Sequence, residues 1–223
     1  MERTKYKELI LTYIDKYDKD EPIFLDDIRK YVLNYNKKYN LQITVESNKI
    51  LEHLNVIINR LVKENYIKNY VKGIYYKPTA NIFGEMPLDK LKIIEKKYLV
   101  NESNKINGYI TGAKLFNQLG LTTQIPKITT IVTNNCNNKY DYKVDYLNII
   151  IRKPEIKITE KNYKYLQLID ILLNKEKINI EVDNYNKIVR KFIKNNKLDF
   201  EKILKYAKET NNKRILEKLY ELV

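Results

Sequence analysis

The sequence predicts an α+β chain, with helices at the start, short strands through the middle and a helical region at the end. Three observations predict it. Apolar residues recur at three-and-four spacing through the first part of the chain, as they do along one face of a helix. Pairs of short β-prone runs follow, separated by turn-forming or polar residues. Helical stripes return from residue 163 onward. At 223 residues, 43% apolar and 31% charged, the chain has the mixture of a folded protein and room for two cores, expected at 1–78 and 79–223.

Residues 6–17 place Tyr6, Leu9, Ile10, Tyr13, Ile14 and Tyr17 on one stripe, a first helix. Residues 18–22 are acidic and end in Pro22, a break; Phe24 and Leu25 then return to the core, and Ile28, Val32 and Leu33 continue a second helix. After a connection rich in Asn and Lys, Ile50, Leu51, Leu54, Ile57, Ile58, Leu61 and Val62 occupy one arc of a third helix. Asn48, Lys49, Glu52, Asn59, Arg60 and Lys63 occupy the opposite arc. Thr44 or Ser47 can cap its start through a side-chain oxygen. Asn65 tolerates the left-handed conformation with which helices end. Residues 66–70 and 73–77 then read as a hairpin turning around Val71, Lys72 and Gly73.

Three helices closed by a small hairpin are the plan of a winged helix-turn-helix. It exposes a third helix narrow enough for the major groove of DNA. Near the start of that helix, Ser47, Asn48 and Lys49 are candidates to reach base edges, with His53 beside them. Arg60, Lys63, Lys68 and Lys72 are candidates for phosphates, which position a protein without reading sequence. The net charge of +14 favours a polyanionic partner. Residues 1–77 carry only 15 Lys or Arg against 11 Asp or Glu, however, and an A/T-rich genome would produce a similar wealth of Lys, Asn, Ile and Tyr.

In the second part, residues 86–100 read as a helix with Leu88, Leu91, Ile94 and Leu99 inward, and residues 112–119 as another. Gly120 stands where a helix end uses glycine, and Pro126 leads toward a strand, so the tract between them reads as a structural turn, with a binding loop of Thr122, Thr123 and Gln124 as the alternative reading. Residues 128–133 and 145–152, joined by a polar loop, predict a hairpin. A helix over 163–173 completes a small mixed α/β body, and stripes over 185–193, 200–207 and 213–222 predict a C-terminal helical bundle.

Cys136 and His53 are the sole residues of their kinds, so no intramolecular disulfide can form and a zinc site would lack ligands. No catalytic residue, metal or cofactor is expected. The charged N-terminus and the shortness of every apolar run point to a cytoplasmic protein without a membrane partner.

From the end of the third helix onward the sequence resembles the AbiEi-type antitoxins, regulators of type IV toxin–antitoxin systems. The likeness begins with Leu61-Val62-Lys63-Glu64-Asn65-Tyr66-Ile67, where the family usually has Gly at the position of Asn65. It continues through Lys72-Gly73-Ile74-Tyr75-Tyr76-Lys77-Pro78 and Phe83-Gly84-Glu85-Met86-Pro87. The most specific stretch is Thr111-Gly112-Ala113 followed by Leu119-Gly120-Leu121-Thr122-Thr123-Gln124-Ile125-Pro126. The resemblance covers roughly residues 50–175. It implies a transcriptional autoregulator, not an enzyme, that binds inverted repeats of double-stranded DNA in its own promoter, with self-association there. It also implies opposition to a nucleotidyltransferase toxin.

Two other classes compete. A metal-dependent nuclease would use Asp141, Asp145, Glu155 and Lys157, a carboxylate set followed by a Glu-x-Lys triplet. A winged-helix adaptor would dock protein and leave DNA alone.

Overall fold

The computed structural model describes residues 2–38, 47–82, 84–210 and 213–220, with the side chains of 2–5, 47–51, 213 and 220 outside the description. Helices come first and small sheets after them. The chain divides into two compact units, Met1–Ile93 and Ile94–Val223. The division falls inside a short helix rather than at residue 78, so the hairpin after residue 78 belongs to the first unit.

In the first unit, α1 (Glu2–Ile14), α2 (Leu25–Lys38) and α3 (Ser47–Lys63) share one apolar cluster. It takes Ile10 and Ile14 from α1, Ile28 and Val32 from α2, and Leu54, Ile57, Ile58 and Leu61 from α3. Each set repeats at helical spacing, so the face that packs is the face the periodicity marks. Asp26 and Asp27 begin α2 and Lys37 and Lys38 end it, a distribution that complements the helix dipole.

Ile23–Phe24, which the sequence marks only as a return to the core, forms a two-residue strand, β1. It pairs antiparallel with β3 (Ile74–Tyr76), and β3 pairs antiparallel with β2 (Lys68–Val71), giving the order β1-β3-β2. Ile67 and Tyr75 join the helical core from this sheet side. α3 ends as its sequence suggests: Asn65 is left-handed at φ 56, Tyr66 N donates to Leu61 O at 2.9 Å and Asn65 N to Val62 O at 3.1 Å. A second hairpin, β4 (Thr79–Asn81) with β5 (Gly84–Met86), has no counterpart in the sequence reading, which begins a helix at Met86.

That helix is shorter than expected. α4 spans Lys90–Ile94 and runs into a π-turn, Glu95–Leu99. Ile93, Ile94 and Tyr98 carry its buried side, and Leu91, expected inward, is 68% exposed because it lies off that stripe. In the second unit β6 (Gly108–Thr111), α5 (Gly112–Gln118), β7 (Thr129–Thr133), β8 (Tyr142–Val144) and β9 (Ile149–Arg152) follow. The sheet order is β6-β7-β9-β8, with β7 and β9 parallel. The expected hairpin between residues 128–133 and 145–152 is therefore corrected. β8 is the antiparallel partner of β9, and a 3-10 turn at Asp145–Leu147 with left-handed Asn148 (φ 54) reverses the chain between them.

α6 (Tyr163–Asn174) packs against β6 and α5 and meets α7 (Tyr185–Asn195), α8 (Phe200–Glu209) and α9 (Lys213–Tyr220). A helix covered on so many sides should be apolar all round, and Leu166, Leu168, Ile169, Ile171 and Leu172 are all buried. Phe200, expected in the stripe of its helix, is 46% exposed because it is the first residue of α8, before the turn that buries Ile203 and Ala207.

The Gly120 tract is a structural turn. Gly120 is left-handed at φ 72, with Leu121 N donating to Phe116 O at 2.9 Å. The Glu181 carboxylate accepts from Thr123 N at 2.8 Å, Thr123 Oγ1 at 2.5 Å and Thr122 Oγ1 at 3.3 Å, which holds its pKa below the usual carboxylate range.

Candidate nucleic-acid interface

Burial of Leu54, Ile57, Ile58 and Leu61 on one side of α3 fixes what the other side presents. Glu52, His53, Asn55, Val56, Asn59, Arg60 and Lys63 are all exposed. The helix backbone begins at Ser47, as expected, while Thr44 and the side chains of Ser47, Asn48 and Lys49 lie outside the described residues. The two halves of the candidate set therefore stand differently: the phosphate candidates and His53 are described, and Ser47, Asn48 and Lys49 are placed on the first turn by backbone alone.

His53 and Arg60 line a cleft of about 110 Å³ with Lys7, Val56 and Ile57. Lys7 comes from α1 and pairs with Glu64 at 3.5 Å, beside the end of α3. Residues from two helices thus meet here, a juxtaposition that helical periodicity within either one does not reveal. Val56 sits 49% exposed among the polar residues of the outward arc.

Lys72 is exposed in the turn between β2 and β3, where Gly73 has φ +84 and accepts from Leu25 N through its carbonyl at 2.9 Å. That bond fastens the hairpin tip to the start of α2. Tyr66 Oη donates to Asp15, which raises the Tyr66 pKa and joins the exit of α3 to the exit of α1. Lys68 differs from the other cations: it is half-buried, and its ammonium lies 2.7 Å from the Glu85 carboxylate on β5.

The chain matches no family model and no curated protein sequence. Two of the three carboxylates of the nuclease reading stand in ion pairs. Asp141 Oδ2 accepts from Arg152 Nη2 at 2.8 Å and from Nε at 3.0 Å, and Nε also donates to Oδ1 at 3.3 Å. Asp145 pairs with Lys143 at 2.7 Å. Glu155 and Lys157 are exposed in the segment after β9. Among the described residues no three His, Cys, Asp or Glu side chains gather as a metal would require, and no helix is long and apolar enough to cross a membrane.

Proposed function

We propose that this chain is a cytoplasmic DNA-binding transcriptional autoregulator whose first unit works as a winged helix-turn-helix. One observation carries the reading. A helix packed through its apolar face turns Asn55, Asn59, Arg60 and Lys63 outward, and the same core ties it to the β1-β3-β2 sheet whose turn presents Lys72. A major groove about 12 Å wide accepts one such helix, and a short β-ribbon beside it reaches the flanking backbone. Asn48 and Lys49 read base edges from the first turn, with Ser47 and His53 next to them. Arg60, Lys63 and Lys72 hold phosphates, and Lys68 contributes less because Glu85 neutralises it.

The antitoxin role, opposing a nucleotidyltransferase toxin and pairing on inverted repeats, rests on the sequence resemblance to AbiEi-type antitoxins. Footprinting of the full chain on the DNA upstream of its own reading frame tests the proposal. A protected inverted repeat, lost with Asn48→Ala and Lys49→Ala, is the expected result. Uniform weak protection that survives those changes would refute sequence reading. The adaptor reading draws on one feature, exposed Val56 in the cleft shared with Lys7. It predicts a chain that ignores duplex DNA even at low salt.

A further inference from the structure

The excess of positive charge lies mostly outside the unit that carries α3. Residues 94–223 hold 25 Lys or Arg against 15 Asp or Glu, whereas residues 1–93 hold 17 against 13. Within the second unit the imbalance is sharpest on α7. It carries Lys187, Arg190, Lys191 and Lys194, all exposed, and no acid. Every other described helix of eight residues or more includes at least one Asp or Glu. A lysine-rich composition adds cations throughout a chain; it does not clear one helix of acids.

α7 holds this charge against its own stability. Lys187 and Lys194 each stand three or four residues from Arg190 and from Lys191, so like charges are neighbours on one face. Lys187 lies in the first turn, the end at which the helix dipole disfavours a cation. Lys187, Lys191 and Lys194 form no ion pair among the described residues. The helix also ends on a cation. Leu198 N donates to Ile193 O at 3.0 Å and Lys197 N to Lys194 O at 3.1 Å, the closure that Asn65 gives α3 and Gly120 gives α5. Lys197 has φ 50 and is the sole described residue outside Gly, Asn and Asp with a positive φ. A lysine is kept where glycine or asparagine would close the helix more easily.

A polyanion relieves repulsion among fixed cations, and the make-up of the face selects which one. The apolar side of α7, Tyr185, Val189 and Phe192, is buried in the core of the unit, so it is not free to enter a lipid surface. Both of its aromatic residues are on that buried side, out of reach of a single-stranded base that would stack on them. The residues it exposes are cations and the amides Asn186 and Asn195, without the apolar anchors around which protein interfaces form. The backbone of a duplex needs neither stacking nor anchors. It offers one charge per ~1.7 Å of axis to cations spread along about 10 Å of helix. We propose that the exposed face of α7, with Lys197 just beyond its end, is a second contact with the phosphate backbone of duplex DNA, one that does not read sequence. The proposal rests on the DNA-binding reading for the choice of duplex and uses none of the residues of α3.

Fluorescence anisotropy of the full chain on a labelled duplex of scrambled sequence, read across a range of salt, tests it. Lys187→Gln, Lys191→Gln and Lys194→Gln together should flatten the slope of log affinity against log salt by about 2.7. From about 50 mM to 200 mM salt the unsubstituted chain should therefore lose about 40-fold more affinity than the variant. Arginine at the same three positions should keep the slope, and preference for the upstream duplex over the scrambled one should be equal in all three chains. The glutamines remove repulsion and no buried contact, so the denaturant midpoint should stay or rise; each single change should remove about 0.9 of slope. An unchanged slope in the glutamine variant, a loss confined to the upstream duplex, polyglutamate or single-stranded DNA bound as tightly as duplex, or no binding to scrambled duplex at about 50 mM salt overturns the proposal. The two readings fail separately: a chain without preference for upstream DNA contradicts the role of α3, while the slope difference on scrambled duplex persists.

Discussion

Each lysine or arginine that neutralises a DNA phosphate contributes about 0.9 to the slope of log affinity against log salt concentration. The structure separates the candidate cations by this measure. Arg60, Lys63 and Lys72 are exposed, whereas Lys68 lies against Glu85 at 2.7 Å. Replacing Arg60, Lys63 and Lys72 with alanine should therefore flatten the slope by about 2.7, three times the single-contact value. The double change Lys68→Ala and Glu85→Ala removes a pair that is neutral overall and should alter the slope by less than about 0.5 on the same scale. Glu85→Ala alone frees a cation and should steepen the slope by up to about 0.9. Fluorescence anisotropy with a labelled duplex at four or five salt concentrations measures all of these. A triple variant with an unchanged slope, or an ion-pair double that loses as much as the triple, would refute the assignment of phosphate contacts.

Three further outcomes are expected. Asn65→Gly removes the cost of a left-handed non-glycine residue and should stabilise the first unit by up to about 1 kcal/mol in denaturant unfolding, whereas Asn65→Ala should destabilise it by about 1 kcal/mol; the reverse order would contradict the helix-end geometry. Gly108→Ala places a methyl carbon 2.3 Å from Tyr98 O and 2.8 Å from Val132 O, both backbone atoms. It should cost about 3 kcal/mol in chemical unfolding, and a neutral substitution would show the approach to be looser. Asp170 has a folded-state pKa above its unfolded value, so the folded chain holds that proton more firmly. Its contribution to stability is complete below the unfolded pKa and is lost as pH rises, by at most about 1.4 kcal/mol per pH unit. Asp170→Asn should gain on the unsubstituted chain as pH rises above the ordinary carboxylate range, and a stability difference that stays flat there counts against the buried carboxyl.

Much of the first unit was legible because its information is local. The stripes Ile10–Ile14, Ile28–Val32 and Leu54–Leu61 each repeat within one helix, and Asn65 signals its conformation by residue type alone. β1 was not legible, since two residues show no alternation and their partner, β3, lies far along the chain. The β4–β5 hairpin is mostly exposed and has no apolar pattern to mark it. The parallel pairing of β7 with β9 depends on β8 and the turn at Asn148, which together decide the direction of β9. At the candidate interface, residue type and spacing gave the outward arc of α3. The neutralisation of Lys68 by Glu85 and the arrival of Lys7 beside His53 are contacts between separate elements, and no period within one element encodes them.

The central claim is that the outward arc of α3 and the β2–β3 turn grip a duplex. Hydrogen exchange of the full chain, compared with and without its upstream DNA, tests this at residue resolution. The account expects new protection concentrated in residues 47–63 and 68–76, with α6, α8 and α9 little changed. Protection confined to the second unit, with α3 and the β2–β3 turn exchanging as in the free chain, would contradict it.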